Sequence, residues 1–324
     1  MLYIDTVDSE VLVHKPWFVG MVFVLVLAFA FVVNLTDTPM GQLLRPAIGD
    51  PLVSGVYGRF AIALVISILF CLNIVLIGFA RYKVQVAIVW LELLFLLFAF
   101  FNAFDLSLPF IWQKLPILLT QGLFTTVYVA AVSIFFATIL AVVGAVAKLS
   151  GNGFAFAIAS FYTSFFRGLP LLMQLYLIYL GLPQIGIVID AVPSGVLALS
   201  LCYGAYMTEI FRAGIQSIDR GQWEASRSIG FGFGLTMRKI ILPQALPVII
   251  PPTGNHFISM LKDSSLVSIV GVWELTFLAR SLGQATFKHM EMLIAVALIY
   301  WIMSICMEFI QARIERHYAR SKIR

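Results

Sequence analysis

Two groups of residues in this 324-residue chain have types and spacings that could do chemistry. The first is the polar run Asp219-Arg220-Gly221-Gln222-Trp223-Glu224-Ala225-Ser226-Arg227-Ser228-Ile229-Gly230, continuing to Ile240-Ile241-Leu242-Pro243. Asp219 and Gln222 have the spacing of a capping box, which predicts the start of a short helix. Gly230 supplies its stop, Gly232 and Gly234 keep the chain from continuing as one helix, and Pro243 marks the start of the next. Glu224, Ala225 and Ser226 are acidic or small and suit close approach by a partner surface, so the chemistry is docking. A connector lying on the lipid surface, with basic residues and Trp223 at the interface, is the other reading of the same composition. The second group is a set of charges in or beside apolar runs: Arg167, Glu209, Lys262 and Asp263. A charge at the centre of a bilayer costs roughly 2.5–3.5 kcal/mol on insertion scales, so each should face the protein interior or water. Arg167 could pair with Glu209 and hold helices together, or meet the carboxylate of a substrate. Lys262 and Asp263 could contact the two charged ends of a zwitterion, or simply end a helix.

Other chemistries lack their residues. No Gly-Lys pair occurs, so the chain has no G-x-x-x-x-G-K-[ST] loop for the phosphates of ATP. Cys71, Cys202 and Cys306 sit in apolar runs and read as small hydrophobes, without CxxC spacing. No His/Cys/carboxylate cluster has metal-ligand spacing and no nucleophile motif appears, so no catalytic residue is expected. His256, beside Asn255, reads as a buried, hydrogen-bonded side chain, and Glu92 as a packing acid without assigned function. The formal charge of +5 is explained by membrane topology rather than by nucleic acid.

The elements that must position these groups are membrane helices. Hydrophobic residues make up 61% of the chain and charged ones 11%, against about 25% charged in soluble domains. Phe60–Ala80, Gln121–Ala147 and Gly168–Ile189 carry no charge at all and exceed the roughly 18 residues that argue for a span. Eight spans are expected, at about 17–34, 60–80, 84–104, 119–147, 157–180, 192–214, 241–261 and 291–311. The first is read as a retained span, because Asp5, Asp8 and Glu10 precede it and no small-residue cleavage site follows. With both termini inside, 14 of the 21 Lys and Arg residues are cytoplasmic and 6 lie opposite, Arg167 remaining within a span. The 219–243 loop is then cytoplasmic. Pro243, Pro247, Pro251 and Pro252 predict that the seventh span is kinked or interrupted, as helices lining a pathway often are. Residues 1–116 form an extension of three spans, with a Gly/Pro/Asp-containing outer loop near 35–58, and 117–324 hold the patterned polar residues and a basic tail.

In residues 224–243 the chain resembles the membrane subunits of bacterial ATP-binding-cassette importers. Their signature loop reads Glu-Ala-Ala, three residues, Gly, nine residues, Ile-x-Leu-Pro; Glu224, Ala225, Gly230, Ile240, Leu242 and Pro243 match and Ser226 departs, small for small. The resemblance covers about 117–311 and is closest to the polar amino-acid subfamily, the histidine/glutamine/glutamate/arginine type. It is supported by Phe166-Arg167-Gly168-Leu169-Pro170, Gly204-Ala205-Tyr206-Met207-Thr208-Glu209-Ile210-Phe211-Arg212, Leu242-Pro243-Gln244-Ala245 and Lys262-Asp263-Ser264-Ser265-Leu266.

The resemblance implies an all-α type I importer domain, a five-helix core preceded here by three additional helices, in a bacterial cytoplasmic membrane. It also implies partners: an ATPase subunit that binds ATP and Mg, a second permease subunit (identical or paralogous), and a periplasmic or tethered amino-acid-binding protein. Residues 224–229 would be the coupling helix, within an ATPase-coupling set of Asp219, Gly221, Gln222, Glu224, Ala225, Ser226, Gly230, Ile240, Leu242 and Pro243. Glu209 and Asp263 resemble positions near the translocation path. Two other functions fit parts of the sequence: an ion-coupled transporter working alone, which does not account for the 224–243 spacing, and a membrane scaffold, which leaves Arg167 and Glu209 unexplained.

Overall fold

Inside hydrocarbon a backbone N–H or C=O finds no water, so long apolar segments must satisfy their polar groups within helices. A computed structural model describes residues 15–35, 55–102 and 106–319 of the chain, and most of the described residues are helical. The acidic N-terminus, most of the 35–58 loop with Arg45, and the tail residues Arg320, Lys322 and Arg324 lie outside the described residues. The chain divides into two compact units, 1–103 and 104–324.

The described residues of the first unit form three helices: α1 (Pro16–Val33), α2 (Val56–Gly78) and α3 (Tyr82–Asn102). α1 packs along α2, where the Cys71 thiol approaches the Val19 carbonyl at 3.9 Å. The turn between α2 and α3 is closed by the Gln85 amide, which donates to the Gly78 and Ala80 carbonyls left free at the end of α2. Across the pair, the Asn73 amide donates to Glu92 at 3.0 Å, so the carboxyl group that carried no assigned role joins two helices. Phe95, Phe98 and Phe100 point outward from α3.

The second unit begins with α4 (Leu108–Ile117), so this helix packs beyond the division expected at 116/117. A π turn at Leu118–Gly122 joins it to α5 (Leu123–Leu149). There follow α6 (Gly153–Gly168), α7 (Leu171–Tyr176), α8 (Ala191–Gln216), α9 (Arg220–Ser228) and the single turn α10 (Phe233–Thr236). α11 (Leu242–Asp263), α12 (Leu275–Thr286) and α13 (His289–Ala319) complete the unit. Among the described residues, seven helices or helix runs are long and apolar enough to cross a membrane, or eight if one bent pair counts as a span.

That bent pair corrects the fifth expected span. Gly153–Gly168 and the run Leu171–Ile185 meet at 106°, so 157–180 is not one straight helix. Pro170 is the cause: it disfavours helical geometry in the residue before it, and Leu169 is extended at φ −99°, ψ 139°. Arg167 therefore stands at a helix end rather than mid-span. The four prolines of the seventh span do not interrupt it. Pro243 occupies the first turn of α11, and Pro247, Pro251 and Pro252 lie inside a helix that runs unbroken to Asp263. Side-chain donors reach carbonyls in that stretch, Thr253 to Ile249 at 2.8 Å and Gln311 of α13 to Pro251 at 3.1 Å. The irregular backbone lies before and after α11, as a π turn at Met237–Ile241 and a 3₁₀ turn at Ser264–Val270.

The core is the seam between α5 and α8. α5 presents a stripe of small buried residues, Ala130, Ser133, Ala137, Ala141 and Gly144, spaced three and four apart. Lipid chains are as apolar as leucine, so helices associate through close packing of small residues and through hydrogen bonds. Gly144 marks the tightest approach: a Cβ there would lie 2.5 Å from Oγ1 of Thr208. Gly144→Leu is expected to lower stability by about 1–3 kcal/mol, the cost of overpacking, read as a fall in melting temperature in detergent. Gly20→Leu, where a Cβ meets nothing within 4 Å, is the control and should leave the melting temperature unchanged.

Candidate functional site

The polar run at 219–243 folds as two short helices and a π turn. Asp219 caps α9 by accepting the Gly221 N–H at 2.7 Å. The reciprocal half of the expected capping box is not formed; the Gln222 side-chain Oε1 accepts from the Gln244 side-chain amide at 3.1 Å instead. At the other end the Phe231 N–H bonds the Ser226 carbonyl at 3.0 Å and the Gly230 N–H bonds that of Arg227 at 2.9 Å. This paired closure places residue 230 in the left-handed region at φ +82°, where glycine is strain-free.

Among the expected docking residues, the helix turns Glu224 and Ala225 outward with Asp219, Gly221 and Gln222. Ser226 does not join them. Its side chain is 0% exposed, donates to the Trp223 carbonyl at 2.8 Å and accepts the Thr236 hydroxyl at 3.1 Å. Its expected place on the contact surface is therefore corrected: a nine-residue helix resting on α10 must turn one stripe inward, and Ser226 is on it. Ile240 and Leu242 also face inward, packed on the cluster of Ile215, Ile241, Ala245 and Ile249, while Pro243 is exposed at the start of α11.

The intramembrane charges separate into two sites. A cleft of about 430 Å³ opens at the α6–α7 break, lined by Arg167, Tyr203, Tyr206, His256, Ser259 and Asp263 among others. The guanidinium of Arg167 lies over the Tyr206 ring, 5.3 Å from its centre. The Tyr203 hydroxyl donates to Asp263 at 2.6 Å. His256 sits between aromatic rings, stacked on Tyr206 at 5.6 Å and edge-on to Tyr203 at 5.7 Å. It is a half-buried wall residue rather than the buried, hydrogen-bonded histidine expected. Lys262 is exposed and off the cleft wall, so of the two only Asp263 lines the cleft.

Glu209 lies outside this cleft. Its two oxygens bind Lys148 from α5 and Arg212, the latter at 2.8 Å, and the Lys148 ammonium also donates to Thr163 of α6 at 2.6 Å. The expected Arg167–Glu209 pair is thus replaced: Arg212 stands one helical turn from Glu209, and the flexible stem of Lys148 brings its charge back into the bundle. The residue that sequence reasoning missed altogether is Glu274, 0% exposed. It caps α12 through the Thr276 and Phe277 N–H groups at 2.9 and 2.7 Å and accepts the Tyr300 hydroxyl at 2.7 Å. An acid directly before an amphipathic helix is the available signal, although glutamate is not a favoured cap.

A bundle of apolar helices with a charged cleft inside it, and a separate polar helix at one end, defines a membrane transport component. The chain belongs to the family of binding-protein-dependent transport system inner membrane components, which it matches over residues 133–320. The arginine transport system permease protein ArtQ of Bacillus subtilis (strain 168) is 40% identical over 204 residues, covering 63% of this chain and 93% of that one. The L-cystine transport system permease protein TcyB of the same organism is also 40% identical over 204 residues, covering 63% and 87%. A solved amino acid ABC transporter with histidines superposes with a TM-score of 0.61 at 36% identity, over 65% of this chain and 99% of that one. The MetNI methionine ABC transporter in an inward-facing form, at 23% identity, shares the fold with a TM-score of 0.55. An ion-coupled transporter working alone does not account for this membership.

Lys148 is 9% and Glu209 21% exposed, so removing one partner strands a poorly hydrated charge. Glu209→Gln should destabilise the protein by about 3 kcal/mol. Lys148→Met with Glu209→Leu, which removes both charges, should recover most of the loss in a detergent melting assay.

Proposed function

We propose that this chain is the permease subunit of an ATP-binding-cassette importer for polar amino acids, in a bacterial cytoplasmic membrane with both termini inside. The observation that carries this reading is α9: a separately capped helix, rooted on its inner side, that turns Glu224 and Ala225 outward within the family-matched segment. In the proposal those two residues enter a groove of a separate ATPase subunit, which binds ATP and Mg and performs the hydrolysis, while this chain catalyses nothing. Asp219, Gly221 and Gly230 shape the helix, and Ile240, Leu242 and Pro243 fix where α11 starts.

The substrate class is supported by the cleft. Arg167 and Asp263 offer one positive and one negative group, matching the carboxylate and ammonium of an amino acid, and Tyr206 and His256 offer ring faces for its side chain. Glu209 is reassigned from the path to the support of α8, and Lys262 to the end of α11. A second permease subunit would close the open side of the cleft, and a binding protein would deliver substrate from outside. Residues 1–103 would be an extension outside this machinery.

Glu224→Lys with Ala225→Asp should abolish co-purification of the ATPase subunit and ATP-dependent transport while leaving the melting temperature unchanged. Survival of both activities refutes the docking surface. In proteoliposomes with binding protein, Arg167→Gln and Asp263→Asn should each reduce amino-acid uptake roughly ten- to hundredfold, the loss of one charge-assisted contact. Stimulation of ATP hydrolysis by sugars or peptides alone would remove the amino-acid assignment.

A further inference from the structure

α9 meets the rest of the bundle at an exposed rim, through Trp223 packed on the cluster of Ile215, Ile241, Ala245 and Ile249, and through a buried hydroxyl pair. On its rim, the Gln222–Gln244 bond is exposed, and the Trp223 and Phe233 rings stack at 6.2 Å with Phe233 exposed. Beneath it lies the hydroxyl pair of Ser226 and Thr236, 0% and 3% exposed. Water competes for the rim contacts and hardly reaches the pair. A buried hydroxyl is tolerated when it is hydrogen-bonded, and here each hydroxyl is the other's partner. The position is also the one at which the chain departs from Glu-Ala-Ala by adding an oxygen, and Thr236 donates a hydrogen bond to it.

The geometry gives the pair a mechanical place. Residues 226 and 236 close a ten-residue loop, stiffened within by the Phe231-to-Ser226 and Gly230-to-Arg227 backbone bonds. Thr236 ends α10, and the next residue opens the π turn Met237–Ile241, which runs directly into α11. α11 carries His256 and Asp263 to the cleft. The pair thus gives a displacement of α9 a buried, hydrogen-bonded route to α11, beside the packing of Trp223 on the Ile215, Ile241, Ala245 and Ile249 cluster.

We propose that Ser226 and Thr236 are a positioning pair that transmits movement of α9 to α11, so that ATP hydrolysis is converted into movement of the cleft wall. This rests on the functional reading above. Neither residue contacts substrate or ATPase in this proposal; each acts through α11.

The test uses the complete complex with its ATPase and binding protein in proteoliposomes, and reads amino acid imported per ATP hydrolysed. Ser226→Ala and Thr236→Val should each lower that ratio at least threefold while the ATPase subunit still co-purifies. The double variant should be no worse than the poorer single one. Thr236→Ser, which keeps the hydroxyl, and the exchange Ser226→Thr with Thr236→Ser, which conserves every atom of the pair, should both stay within twofold of the starting ratio. An unchanged ratio in both hydroxyl-deleted variants, losses that multiply in the double variant, or failure of the exchange to restore coupling each overturns the pairing. Loss of ATPase co-purification in Ser226→Ala returns Ser226 to the docking surface and overturns it too. ATP-independent import by the unaltered complex would overturn the functional reading itself, and the pair with it.

Discussion

Close contact between α5 and α8 is the constraint on which the second unit depends. In lipid no gain from leaving water drives two apolar helices together, and dispersion between well-fitted surfaces must do it. Ala130, Ala137, Ala141 and Gly144 let the backbones approach until Thr208 lies against the glycine, and Thr208 turns its hydroxyl to its own helix at Gly204. α8 is then fixed in rotation, and what it carries is fixed with it. Tyr203 and Tyr206 face the cleft, Glu209 and Arg212 follow toward the next turns, and α9 begins just beyond Gln216. A rotation by one residue, about 100°, would take both tyrosines off the cleft wall.

Much of this was legible in the sequence because hydrocarbon imposes a length on whatever crosses it. The positions of α1, α2, α3, α8 and α11 follow from apolar runs to within a few residues. The break at Leu169–Pro170 was masked by the same logic: the run is apolar throughout, and the local effect of Pro170 was outweighed by overall length. α9 was legible from Asp219 and Gly230, whose roles depend only on neighbours in sequence. The direction of Ser226 was not, because the phase of a short helix is set by what it rests on, here a threonine ten residues later.

The charges show the same division between local and distant causes. Arg212 lies three residues from Glu209, and that contact follows from helical spacing. Lys148 lies 61 residues away, and as the residue that directly follows an uncharged apolar run it reads as a loop charge. Its long stem allows both readings, since a lysine at a helix end can reach outward to water or back to a carboxylate. Sequence cannot choose between them; the small-residue seam that brings α5 against α8 does.

The two charged sites differ in how completely they are neutralised, and in the proposed function that difference separates support from transport. Glu209 is held by two cations, and Lys148 has a carboxylate and a hydroxyl, so nothing at that site invites a ligand. In the cleft Asp263 has only the neutral Tyr203 hydroxyl, and Arg167 only the face of Tyr206, with no carboxylate paired to it among the described residues. Such partners orient a charge without cancelling it. Water must supply the rest of the stabilisation while the cleft is open, and a solute carrying both signs can replace that water when it closes. A site built this way would hold a ligand best when least hydrated, which is the property the proposed transport function requires of a substrate cleft and cannot tolerate in its scaffold.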